Sequence, residues 1–189
     1  MLFSVSYHLF GCISSRVFSD FLKLDYCGIG FAILSCYLCG LHVTFECYRD
    51  WRIRYETLII LIMLTAVIYY IHDAKRYVTQ NLHVTLFVII ALLGVLPALH
   101  WYYLHGGWTN EFVQQFLPRL IVLYGILGVG TIIYLLKFPE RFFPGYFDFI
   151  FASHQIWHLS TLLAFIWWYY NGVDLLQYRL TNPCHRFSE

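Results

Sequence analysis

The chain has 189 residues, of which 60% are hydrophobic, 21% aromatic and only 12% charged, about half the charged share of a soluble globular domain. A net charge of +1 gives no electrostatic case for nucleic acid, and the sequence has no basic run and no Gly-rich phosphate loop. A soluble domain of this length could not hide so much apolar surface, so the reading is an all-α, polytopic transmembrane helix bundle.

A spanning helix needs about 20 apolar residues. The segment 1–13 is apolar but too short to span, and reads as the last part of a helix. Further helices are predicted at about 26–45, 57–71, 82–104, 120–136 and 147–170, followed by a polar tail over 171–189. Pro97 is expected to kink the third of these. Trp51, Tyr69 and Tyr70 are placed as interfacial aromatics. Polar loops are expected at 14–23, 46–56, 72–81, 105–115 and 137–145. They are too short to hold a further domain, so one transmembrane domain over 1–189 is expected. No cleavable signal peptide is expected, because no basic leader precedes the first apolar residues. If loops alternate sides, the lysines and arginines divide six against six, and the positive-inside rule does not set the orientation.

The six cysteines do not read as a disulfide framework. Cys12, Cys27, Cys36, Cys39 and Cys47 lie in or beside apolar segments, where a free thiol behaves as a small hydrophobe. The Cys36–Cys39 spacing is that of a metal or redox pair, but it falls mid-helix in an apolar run. Cys184 is the one candidate for oxidation, should its end face a lumen.

The polar groups that stand out are His154 and His158. An ionisable side chain inside the bilayer is expensive and marks a site. Spacing of four puts both rings on one helix face, within reach of one metal ion. Counting crossings places the loop at 14–23 on the same side as the loop at 137–145. His8, before the first loop, and Asp25, after it, therefore fall at the depth of the histidine pair. Three histidines leave one position of a tetrahedral zinc open, the layout of a catalytic site, and a water held there ionises near pH 7. Ser4 lies one turn before His8 on the same face and could hydrogen-bond that water. Asp25 could orient the water, accept its proton, or steady a histidine from behind. Other readings compete with each assignment. The pair could bond between helices, Asp25 fits equally as an acid at a helix N-terminus, and Ser4 fits simple helix packing. His42, His72, His83 and His105 sit near predicted helix ends, where interfacial solvation suffices. His100 follows Pro97 and is expected to bond a freed carbonyl. His185 lies in the tail. The turn at 139–145 holds two prolines, a glycine and a Glu140–Arg141 pair, and sets where the last helix starts.

Ser4-Val5-Ser6-Tyr7-His8, then Leu24-Asp25-Tyr26-Cys27-Gly28, then Ser153-His154 through His158 form an ordered pattern, joined by Pro139-Glu140-Arg141-Phe142-Phe143-Pro144-Gly145. On these motifs the chain resembles the progestin and adipoQ receptor family, related to haemolysin III proteins and more distantly to alkaline ceramidases. The resemblance implies seven transmembrane helices, with the first helix and part of the second outside this chain. It implies a cytosolic N-terminus and a C-terminus outside or in a lumen. It implies zinc on His8, His154 and His158 near the cytosolic side, with Ser4 and Asp25 close by. Within the family the likeness is strongest to a Golgi-resident member that restrains Raf and MAP kinase signalling through a cytosolic N-terminal region. A Golgi-membrane anchor is therefore the leading expectation, with the plasma membrane as alternative site. The competing activities are a zinc-dependent amide hydrolase acting on a membrane lipid, with Asp25 and Ser4 catalytic, and a receptor for a steroid or adipokine.

Overall fold

Helix forms over most of each predicted apolar segment and runs beyond several of them into polar flanks. In a computed structural model that describes residues 2–73, 80–147 and 150–184, with backbone alone at 70–73 and 80–84, the elements are α1 (Leu2–Phe10), α2 (Ser15–Thr44), α3 (Arg49–Asp73), α4 (Gln80–Leu93), α5 (Val95–Leu104), a 3-10 turn (Gly107–Thr109), α6 (Glu111–Leu136) and α7 (Ser153–Thr181). The all-α class is as expected, with no strand among the described residues. The side chains of Tyr70, His72 and His83, most of the expected 72–81 loop, and His185 lie outside the described residues.

Several predicted boundaries move, among them the start of α3, which lies at Arg49 rather than 57. The expected loop at 14–23 is helical from Ser15, because the Ser14 hydroxyl accepts the Val17 N–H at 3.2 Å and caps the first turn. Once a helix is nucleated, each further residue adds a hydrogen bond at little cost. In the same way the Asn110 side chain accepts the Phe112 N–H at 2.8 Å, and α6 starts at Glu111 rather than near 120. The last helix begins at Ser153, not 147, and continues to Thr181 through much of the stretch read as a polar tail. Polar residues there have partners inside the protein: Asp174 accepts from Arg119 at 2.7 Å, and the Arg179 guanidinium lies 4.0 Å over the Phe112 ring.

The third predicted span is divided at Gly94, three residues before Pro97. Pro97 has no N–H and its ring crowds the carbonyl four residues back, at Leu93. The chain answers by tightening locally, with the Gly94 N–H on the Ala91 carbonyl at 3.2 Å. The Ile90 carbonyl then loses its usual helical donor. The Tyr37 hydroxyl supplies one, at 2.6 Å from Ile90 O and 3.1 Å from Ala91 O. Within a bilayer such a freed carbonyl must be met by a neighbouring side chain.

Among the described residues, Ser15–Thr44, Thr85–Leu104 and Glu111–Leu136 are long and apolar enough to cross a membrane. α6 leaves Ile121, Val129, Ile132 and Leu135 more than half exposed, a face suited to lipid and costly in water. The chain divides into two units, one running to Trp101 and including Cys184, the other from Tyr102 to Pro183. In the first, α1 packs on α2 and α2 on α3. Gly28 admits the Phe3 ring, which a Cβ there would meet at 2.9 Å. In the second, α6 and α7 run antiparallel. Gly130 faces Ser160 so closely that a Cβ would lie 2.6 Å from the serine Cβ, the small-residue contact by which membrane helices approach.

One cysteine assignment is corrected. Cys47, read as a free thiol, is bonded to Cys184, with Cα atoms 5.3 Å apart. Cys47 lies in the short turn between α2 and α3 rather than inside an apolar helix, so its thiol is not buried in lipid. Cys12, Cys27, Cys36 and Cys39 are free.

Candidate metal centre

The histidine pair is built by the start of α7. Glu140, expected as half of a Glu–Arg pair, instead caps this helix from the preceding turn. Its carboxylate accepts the Ser153 N–H at 2.8 Å and the Ser153 hydroxyl, and no ion pair among the described residues joins it to Arg141. Desolvation pushes the Glu140 carboxyl up, but the Ser153 hydroxyl, the backbone donors at Glu140 and Ser153 and the Lys137 charge outweigh it and hold the carboxyl below its ordinary value. Phe151 takes a left-handed backbone, φ 65°, a conformation that strains a bulky residue. Its N–H is secured by the Gln155 side chain at 2.7 Å. These contacts fix the first turn of α7, and with it the direction of the histidines.

His154 and His158 then face each other. Their Nε2 atoms are 3.1 Å apart, with ring centroids at 4.7 Å and planes at 86°. The Tyr134 ring of α6 stands 5.7 Å from that of His154. Two neutral imidazole nitrogens at this distance need a proton or a cation between them, since opposed lone pairs repel. A tetrahedral zinc with bonds of about 2.05 Å holds two nitrogens about 3.3 Å apart. The pair thus fits one face of such a site with little adjustment.

The remaining predicted residues lie in the first unit. His8 is on α1, its ring 5.0 Å from that of Tyr7. Ser4, one turn earlier, is buried at 5% exposure. Asp25 is on α2. The Phe10–Phe21 ring contact and the Phe3–Gly28 contact set the register of the α1–α2 hairpin. That register brings Ser4 and Asp25 to neighbouring levels, as their order around the first turn suggests.

Three other histidines have protein partners rather than solvent alone. His42 meets Glu56 at 3.0 Å and His105 meets Arg179 at 3.2 Å. His100 meets the Tyr55 hydroxyl at 2.9 Å rather than a freed carbonyl, and the Ile90 carbonyl that lost its helical donor is met by Tyr37 instead. Glu140 was the functional residue that spacing alone did not single out. The signal available was an acid shortly before a helix start, where N–H donors collect.

The haemolysin-III related family model matches residues 1–169. The chain is 39% identical over 188 residues to "Progestin and adipoQ receptor family member 3" of Mus musculus and of Homo sapiens, an alignment covering 97% of this chain and 60% of each relative. It is 30% identical to the "Adiponectin receptor protein" of Drosophila melanogaster, covering 94% of this chain and 40% of that one. It is also 30% identical to "Heptahelical transmembrane protein ADIPOR2" of Oryza sativa subsp. japonica, covering 92% and 75%. The chain spans about 60% of the length of the mouse and human relatives. Its helices, its sequence matches and its apolar spans agree: the chain belongs to the haemolysin-III related family of multipass membrane proteins, together with the progestin and adipoQ receptors.

Proposed function

We propose that this is a zinc-binding, receptor-like anchor of the Golgi membrane that restrains Raf and MAP kinase signalling. The observation that carries the metal is the His154–His158 pair, with Nε2 atoms at 3.1 Å on one face of α7. His8 is the proposed third ligand, on the family resemblance, and both units serve one transmembrane domain over 1–189. When bound, zinc would polarise whatever oxygen enters its open position. The signalling assignment rests on the 39% identity to member 3, and Raf would be held through a cytosolic N-terminal region. The Cys47–Cys184 bridge supports an oxidising lumen beside the α2–α3 turn, and hence the opposite, cytosolic side for the α1–α2 turn.

Metal content tests this directly. Elemental analysis of purified protein should give one zinc per chain, lost in His158→Ala and in His8→Ala. Zinc retained in both variants would end the assignment. Golgi retention of Raf by a full-length protein, compared between wild type and His154→Ala, then asks whether the metal matters for anchoring.

The shared level of Ser4 and Asp25 in the α1–α2 hairpin favours a second reading, an amide hydrolase for a membrane lipid. Asp25 would take the proton of the attacking water and Ser4 would donate to the carbonyl oxygen. Asp25→Asn keeps the shape and removes the base. Lipid amide hydrolysis lost while zinc and folding persist would favour the enzyme over the anchor. Receptor function for a steroid or adipokine is the remaining alternative within the family.

A further inference from the structure

A groove of about 590 Å³ runs along the α6–α7 pair, lined by Arg119, Ile126, Leu163, Ile166, Trp167, Tyr170, Asn171 and Asp174. Because the helices are antiparallel, its lining changes character along its length. Arg119 faces Asp174 at one end, and Ile126 faces Leu163 and Ile166 at the other. At 1.5 Å per residue, Arg119 lies about 12 Å from the start of α6 and Asp174 about 10 Å from the end of α7. A helix of 29 residues is about 43 Å long, roughly the full bilayer with its headgroups. The charged end therefore lies nearer the membrane surface, and the apolar end points toward the membrane centre.

We propose that this groove binds a zwitterionic glycerophospholipid, headgroup at Arg119 and Asp174 and one acyl chain along Ile126, Leu163 and Ile166. The Arg119–Asp174 contact of 2.7 Å uses one guanidinium nitrogen and one carboxylate oxygen. Arginine carries five N–H donors in a planar fork, so donors remain for a phosphate. The Asp174 side chain is 53% exposed, and its second carboxylate oxygen can accept from an ammonium group. The Tyr170 ring beside it adds a face that attracts a cation. The arginine main chain is held from behind, since the Trp167 indole donates to the Arg119 carbonyl at 2.9 Å. Asn171 in turn donates to the Trp167 carbonyl at 2.6 Å. Opposite charges paired at the mouth give no net attraction for an anionic headgroup. They match a headgroup that carries both signs.

The proposal is independent of the metal site. The test is native mass spectrometry of the delipidated full chain in detergent, titrated with phosphatidylethanolamine and, separately, phosphatidylglycerol of the same acyl chains. The wild type should bind the ethanolamine lipid more tightly. Asp174→Asn should lose that preference by about tenfold, the effect of one charge-assisted hydrogen bond. Leu163→Trp, which fills the apolar end, should reduce binding of both lipids. Equal affinity for the two lipids in wild type would overturn the proposal. So would an unchanged preference in Asp174→Asn, or undiminished binding in Leu163→Trp should the first variant fail to fold.

Discussion

Gly130→Ala places a methyl group where α6 and α7 are closest. Its Cβ would lie 2.6 Å from Ser160 Cβ, 2.8 Å from Ser160 Oγ and 3.5 Å from a Trp157 ring carbon. Carbon atoms make their best contact at about 3.5–4.0 Å, so the backbones must part by roughly 1 Å. Rotation about χ1 moves the serine Oγ but leaves its Cβ in place, and no side-chain motion relieves the clash. Overpacking of this kind costs about 1–3 kcal/mol. For a chain of this size that is a fall in melting temperature of roughly 2–12 °C. The displaced segment lies less than a turn from His158, so metal affinity should fall as well. Ser160→Gly removes both offending atoms and leaves only the ordinary Trp157 contact. The double variant should therefore recover more than half of the lost stability, a coupling of about 1–2 kcal/mol. The assay is thermal unfolding in detergent by intrinsic fluorescence of the four proteins, with zinc content measured on each. Wild-type stability in Gly130→Ala, or no recovery in the double variant, would refute the close-approach argument.

Thiol labelling under denaturing, non-reducing conditions should modify four cysteines, Cys12, Cys27, Cys36 and Cys39, and two more only after reduction; six without reductant would remove the Cys47–Cys184 bridge. Tyr37→Phe removes the hydroxyl donor to the Ile90 and Ala91 carbonyls and should cost about 1 kcal/mol, typical of a polar contact between membrane helices; a melting temperature equal to the wild type would show that the hydroxyl is dispensable. Glu140 has a depressed carboxyl in the folded state, so its contribution is complete above the ordinary value of 4.5 and disappears as pH falls through the lower folded value. Glu140→Gln should accordingly lower stability near neutrality by about 1 kcal/mol, the small end for a partly solvated carboxylate, and flatten the melting curve against pH below 4.5. Parallel acid limbs in the two proteins would place the stabilisation elsewhere.

Much of the fold was legible because lipid imposes a single requirement. Apolar runs near 20 residues must be helices, so the order of the elements follows from composition. The helix ends were less legible. Ser14 and Asn110 extended α2 and α6 through capping bonds, and polar residues from Asn171 to Arg179 stayed helical because partners on α6 or the same helix received them. Cys47 was misread because it lies beside an apolar segment, although Glu46 and Tyr48 flank it and alternation of the loops placed it on the side of Cys184. His100 was assigned to a freed carbonyl, but the choice between Tyr55 and Tyr37 as hydroxyl partners depends on which helices adjoin.

Periodicity and spacing by themselves established a helical membrane protein, placed His154 and His158 on one face, and marked Ser4, His8 and Asp25 as their candidate companions. The His154–His158 and Ser4–His8 faces follow from local geometry, in which 3.6 residues per turn fix which side chains lie one above another, and counting membrane crossings put His8 and Asp25 at the depth of the pair. Only the tertiary structure decided that Glu140 aims the histidine-bearing helix, that Gly130 sets its distance from α6, and that Arg119 and Asp174 close the polar end of a groove. Those contacts join residues 13 to 55 positions apart. Their formation depends on how side chains of two helices interlock, which no single helix encodes.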